Sequence, residues 1–177
     1  MKINKIFLGM SLALGMASVG HAATTLAKGN GAITFTGSII DAPCSIEPES
    51  VDQTVDLGLV SKAALKDKGS SVPQNFEIQL SNCDLEGASK SVSATFTGTS
   101  GATDGMLGMT GTAKGASIAL TDGGGKLIKL GQATTTQALA KGTNSLRFST
   151  YLQGDGVSGG IVPGDFKSVA NFTLTYQ

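Results

Sequence analysis

From Ala170 to Gln177 the chain alternates without a break: Ala170, Phe172, Leu174 and Tyr176 fall on one side, Asn171, Thr173, Thr175 and Gln177 on the other. A period of two is the mark of a half-buried strand. Similar runs at 51–57, 75–80, 92–97, 117–120, 127–130 and 146–152 carry Val, Ile, Thr, Leu or Phe. They are separated by clusters of Gly, Asp, Asn and Ser, the punctuation of strands and turns. Further forward, Ile33, Phe35 and Gly37 alternate with Thr34, Thr36 and Ser38. Residues 60–66 read as a helical turn or short helix, and the glycine-rich stretch 98–125 as mostly hairpins and loops. No long helical pattern competes. The pattern predicts an all-β domain, a sandwich with Greek-key connections.

The last strand raises a question of partners. Its apolar face calls for neighbours on both sides, and no downstream segment is expected to supply one. An earlier segment of the same chain could cover it, it could remain an ordinary exposed edge, or another molecule could lie beside it. Closure by the chain's own Ile33–Phe35 region would make a monomer. Closure by that region of a second copy would repeat head to tail and build an open filament. Periodicity alone leaves these outcomes open.

Composition removes several other readings. Met1-Lys2-Ile3-Asn4-Lys5, an apolar run to about Val19 and then Gly20-His21-Ala22 have the order of a secretory signal peptide, with cleavage expected after Ala22. The run is shorter than the roughly 20 apolar residues that span a bilayer. Removal of 1–22 leaves 155 residues, enough for one domain with a core. Lys2 and Lys5 leave with the leader, so the mature net charge is −2, without the basic excess of a nucleic-acid binder. The single histidine, His21, leaves as well.

Without histidine, serine–histidine and cysteine–histidine catalysis are excluded. No Ser-x-x-Lys occurs, and Asp122-Gly123-Gly124-Gly125-Lys126 lacks the spacing of a phosphate loop. Asp104-Gly105 and Asp155-Gly156 read as turns, far short of the oxygens that calcium needs. Asn171-Phe172-Thr173 matches a glycosylation sequon but falls on a strand. Neither a metal site nor a cofactor is expected, and the protein is read as no enzyme. Cys44 and Cys83, 39 positions apart in an exported chain, are expected to form a disulfide.

Several segments together resemble the structural pilins of chaperone–usher fimbriae, and are similar to the major subunits of type 1 and P pili. They are the leader, Gly29-Asn30-Gly31-Ala32-Ile33-Thr34-Phe35-Thr36-Gly37, Asp41-Ala42-Pro43-Cys44-Ser45-Ile46, Val55-Asp56-Leu57-Gly58, Leu80-Ser81-Asn82-Cys83, and Gly164 with the penultimate Tyr176. The resemblance implies an incomplete immunoglobulin-like sandwich lacking its final strand, completed by donor-strand exchange. It implies a donor extension at 23–36, with Gly31, Ile33 and Phe35 facing inward, and a sandwich domain at 37–177. Gly164, Ala170, Phe172, Leu174 and Tyr176 would form the acceptor groove and chaperone-binding strand. The implied partners are other copies of the same pilin, a periplasmic chaperone, an outer-membrane usher, and tip adaptor or adhesin subunits. The implied location is an extracellular fimbrium on the bacterial surface, reached through the periplasm. A shaft subunit is the preferred expectation, and a minor tip or adaptor pilin is the alternative.

Overall fold

The structure is a computed structural model that describes residues 29–87, 90–156 and 160–177. The expected leader 1–22, and the first part of the expected extension, lie outside the described residues. The chain divides into two units, one ending at Ile39 and one from Ile40 to Gln177. In the first, residues 29–39 have no regular secondary structure.

The second unit is built from ten strands: β1 Ser45–Ile46, β2 Gln74–Cys83, β3 Ser91–Gly98, β4 Thr110–Gly111, β5 Ala116–Asp122, β6 Leu127–Ile128, β7 Gln137–Ala138, β8 Gly142–Gly154, β9 Phe166–Lys167 and β10 Ala170–Tyr176. A short helix, α1 (Pro48–Val51), and a 3-10 turn, Lys66–Lys68, complete it. One sheet has the order β1-β2-β8-β5-β6, a second the order β10-β3-β7, and β4 pairs with β9. All of these pairings are antiparallel.

Alternation decides which way each strand faces. On β8, Leu146, Phe148, Thr150 and Leu152 are buried, while Arg147 is exposed and Ser149 and Tyr151 are half-buried. They meet Ile78 and Leu80 of β2, Ile118 and Leu120 of β5, and Val92, Ala94 and Phe96 of β3 in one core. Aromatic rings tie the two sheets together. Phe96 meets Phe148 edge-on at 5.1 Å between centroids, and Phe76 stacks on Phe148 at 5.4 Å. Such pairs add about 0.5–1.5 kcal/mol each beyond their buried area.

The all-β sandwich is the expected one, and β2, β3, β5, β6, β8 and β10 fall where the pattern placed strands. The helical turn also falls within the expected 60–66, with turn hydrogen bonds from Ala64 N–H to Ser61 O and from Leu65 N–H to Lys62 O, and runs on into the 3-10 segment. One expectation changes: residues 51–57 are not a strand, because the chain leaves α1 at Val51 and runs on without a ladder. The two-residue strands β1, β7 and β9 are too short to show a period, and only their partners define them.

Candidate functional site

Two edges of the sandwich face a long trough. The first lip is the segment 53–60. Leu57 and Val60 are half-buried against the core and Val55 is half-buried, while Thr54, Asp56, Gly58 and Leu59 are exposed, so the side chains alternate as in a strand as far as Gly58. Yet between Gln53 and Val60 no backbone group pairs with another backbone group among the described residues. Among the described residues, its backbone N–H groups make one local bond, from Gly58 N–H to the Asp56 carboxylate at 2.8 Å. Backbone donors and acceptors are normally paired, so a row of free ones next to an apolar surface is an edge open to another strand.

The second lip is the segment 161–172, which leads into β10. That strand pairs with β3 from Ala170↔Gly98 to Tyr176↔Val92 and, among the described residues, has no strand on its other side. Between the lips lies a groove of about 1570 Å³, floored by Phe76, Ile78, Phe96, Ile118, Leu120 and Leu152. Native interiors hold few voids larger than a water molecule, so a trough of this size is a missing layer and not a packing defect.

The expected acceptor residues divide between the groove and its continuation. Gly164, Ala170 and Phe172 line the trough. At Gly164 an added Cβ would sit 2.7 Å from Ala113 N and 2.8 Å from Thr112 C, so only glycine lets the lip lie against 112–113. Phe172, Leu174 and Tyr176 are half-buried and pack against the core from one face of β10, whereas Ala170 is exposed. Phe172 reaches Phe96 at 6.4 Å between centroids. Leu174 and Tyr176 extend this face beyond the enclosed part of the trough. Burial raises the Tyr176 phenol above its ordinary pKa, and its hydroxyl has no hydrogen-bond partner.

The expected donor residues lie in the first unit. Gly31 is exposed, and Ile33 and Phe35 are 80% and 88% exposed, unusual for such side chains. The disulfide expected from the sequence is present: Cys44 and Cys83 are bonded, with 4.1 Å between their Cα atoms. It anchors the entry to β1 against the end of β2, and Asn144 Nδ2 donates to Cys83 Sγ at 3.2 Å. The 44–83 loop therefore contains the whole first lip.

Sequence reading missed two features of the site. The sequence pattern reads the first lip as a strand, because Val55 and Leu57 alternate like one. Thr150 was not singled out: it is 5% exposed, lines the groove, and its hydroxyl lacks a partner. Its signal was a lone polar residue at an inward position between Phe148 and Leu152.

Fold and groove together define a class, the incomplete immunoglobulin-like sandwich with one strand position left open. Residues 33–177 match the family described as fimbrial protein. Over 178 residues, spanning all of both chains, the sequence is 54% identical to the Fimbria A protein of Serratia marcescens. It is 49% identical over 179 residues, again all of both chains, to the Major MR/P fimbria protein of Proteus mirabilis strain HI4320. A chain of a solved chaperone–usher pilus, described for the molecular basis of rod uncoiling, shares 34% identity at a TM-score of 0.76. That match covers 88% of this chain and 100% of the other. The chain belongs to the fimbrial protein family, and it is a structural pilus subunit.

Proposed function

We propose that the protein is the major shaft subunit of a surface fimbrium and polymerises by donor-strand exchange. The observation that carries this reading is the groove: an apolar trough with a free backbone edge on the 53–60 lip and another on β10. A strand laid between the lips gains backbone hydrogen bonds to fix it and alternate side chains to fill the trough. The segment 23–36 of a second copy supplies that strand, with Gly31, Ile33 and Phe35 turned inward. Moving the exposed Ile33 and Phe35 out of water contributes about 1.5–3 kcal/mol each.

Until that strand arrives, the trough is an aggregation hazard and needs a temporary cover. A periplasmic chaperone fills that role on the β10 side, beside Ala170, Phe172, Leu174 and Tyr176. At the outer-membrane usher the next subunit's extension displaces it. Replacing one β partner by a better-packed one runs downhill without ATP. Residues 1–22 direct export, 37–177 form the sandwich, and the assembled fimbrium stands outside the cell with adaptor or adhesin subunits at its tip. The role is structural, with no catalytic step.

Deletion of 23–36, with the chaperone co-expressed, tests the joint. Chaperone-bound subunits without fibres are expected under the electron microscope, and long fibres overturn the reading. Copy number in purified wild-type fibres tests the place: many copies along the length are expected, and one or a few at the tip would make the protein an adaptor.

A further inference from the structure

We infer that the lips of the groove carry a charge gradient that reads the polarity of the incoming strand. The stretch 52–62, which carries the first lip, begins acidic and ends basic: Asp52 and Asp56 come early and Lys62 late, with no other charge between them. The two lips run in opposite directions and converge at the basic end. There Leu65, just beyond the first lip, and Ile161, which opens the second, both abut Gly154. A Cβ on Gly154 would lie 3.0 Å from the Leu65 carbonyl carbon and 3.5 Å from Ile161 Cδ1. Lys114 joins Lys62 at this end, because its backbone bridges to Val162 on the second lip. Farther along that lip Asp165 and Lys167 offset each other. All six side chains belong to exposed residues lining the groove, and none has an ion-pair partner within 4 Å among the described residues.

The segment proposed as donor is charged in the complementary sense. Lys28 stands ahead of its inward-facing stretch Gly31–Phe35, Asp41 follows the segment, and no Lys, Arg, Asp or Glu lies between the two. Placed with Lys28 toward Asp52 and Asp41 toward Lys62 and Lys114, the strand is attracted at both ends. Turned around, it is repelled at both. The lengths are comparable as well. At full extension about 33 Å would separate Asp52 from Lys62, less here because Gly58 turns at φ 66°, and about 43 Å would separate Lys28 from Asp41. The donor charges then overhang each end by about 5 Å or more, on the scale of a Debye length of about 8–10 Å. This polarity sets the donor parallel to the first lip and antiparallel to β10.

Exposed ion pairs add little affinity, but complementary fields raise encounter rates and penalise the wrong orientation. The inference rests on the donor-strand reading and adds to it what selects the direction of docking. The test uses a fluorescent synthetic peptide of residues 23–41 added to the full mature chain, with association followed by anisotropy. A second peptide exchanges the charges (Lys28→Asp with Asp41→Lys). A lip variant carries Asp52→Lys, Lys62→Asp and Lys114→Asp, leaving Asp56 in place because it holds the Gly58 N–H.

At about 20 mM salt the exchanged peptide is expected to associate roughly tenfold more slowly than the native one, and at about 500 mM salt the gap closes. The exchanged peptide on the exchanged lips recovers the native rate. Equal rates for the two peptides at low salt, or no recovery on the exchanged lips, overturn the gradient. Failure of the native peptide to bind at either salt would instead remove the donor-strand reading on which the gradient stands.

Discussion

Breaking the disulfide should loosen the groove before it unfolds the domain. Cys44 and Cys83 close a loop 39 positions long that contains α1 and the whole unpaired lip. Both cysteines are 3% exposed, so alanine is the appropriate replacement, since serine would bury a new hydroxyl. For a loop of this length the chain-entropy relation gives about 4 kcal/mol of stability from the cross-link. With a urea slope of about 1.5 kcal/mol per molar, suited to a domain of this size, that corresponds to a midpoint lowered by roughly 2–3 M. The lip should suffer most, because the segment 53–60 has no ladder of its own and depends on its two ends being held. Two measurements on Cys44→Ala/Cys83→Ala check this. Urea unfolding by far-UV circular dichroism reads the domain, and anisotropy of the labelled 23–41 peptide reads the groove. The expected result is a large fall in midpoint, with peptide capture reduced even where the domain remains folded. A midpoint within about 0.5 M of wild type, together with unchanged capture, would refute the assignment of the disulfide as the tether of the lip.

The other predictions concern single side chains. Phe35→Asp should abolish fibres in electron micrographs yet leave the urea midpoint of the sandwich unchanged, because the side chain is 88% exposed before assembly. Thr150→Val keeps the shape of the groove floor while removing a buried hydroxyl without a partner; it should stabilise the subunit by about 1–2 kcal/mol in urea unfolding. Gly164→Val forces the second lip away from Thr112 and Ala113 and should slow peptide capture at least several-fold, measured by anisotropy. For Tyr176, burial raises the phenol's pKa, so the native state keeps its proton where the unfolded chain releases it. Stability should therefore be level below the ordinary value of 10.0 and fall as pH rises above it, while Tyr176→Phe flattens that limb. Urea midpoints on either side of that value check the sign.

Which side of each segment faces inward was legible from the residues alone. Alternation at 170–177 placed Phe172, Leu174 and Tyr176 on the core side of β10, and the same rule placed Leu146 and Leu152 on β8. Two cysteines in a chain whose first residues read as a leader were enough to expect the disulfide that Cys44 and Cys83 form. The facing of each strand was readable because side-chain direction in an extended chain depends only on the parity of position, which any neighbouring residues reveal.

What a segment pairs with is a different kind of information, and there the folded structure decided. Val55 and Leu57 alternate as well as any strand, but their segment forms no ladder, since the strand beside it is missing from the fold. Ser45–Ile46 and Phe166–Lys167 are strands only because β2 and β4 lie alongside them. Thr150 looked like an ordinary strand threonine until packing put it at the bottom of the trough. Periodicity fixes a facing locally, whereas a backbone hydrogen bond needs a second strand at a set distance, supplied from far along the chain or from another copy. The sequence could therefore show that the last strand wanted a neighbour. Only the tertiary structure showed the shape of the vacant place, with an apolar floor and two free edges facing each other across it.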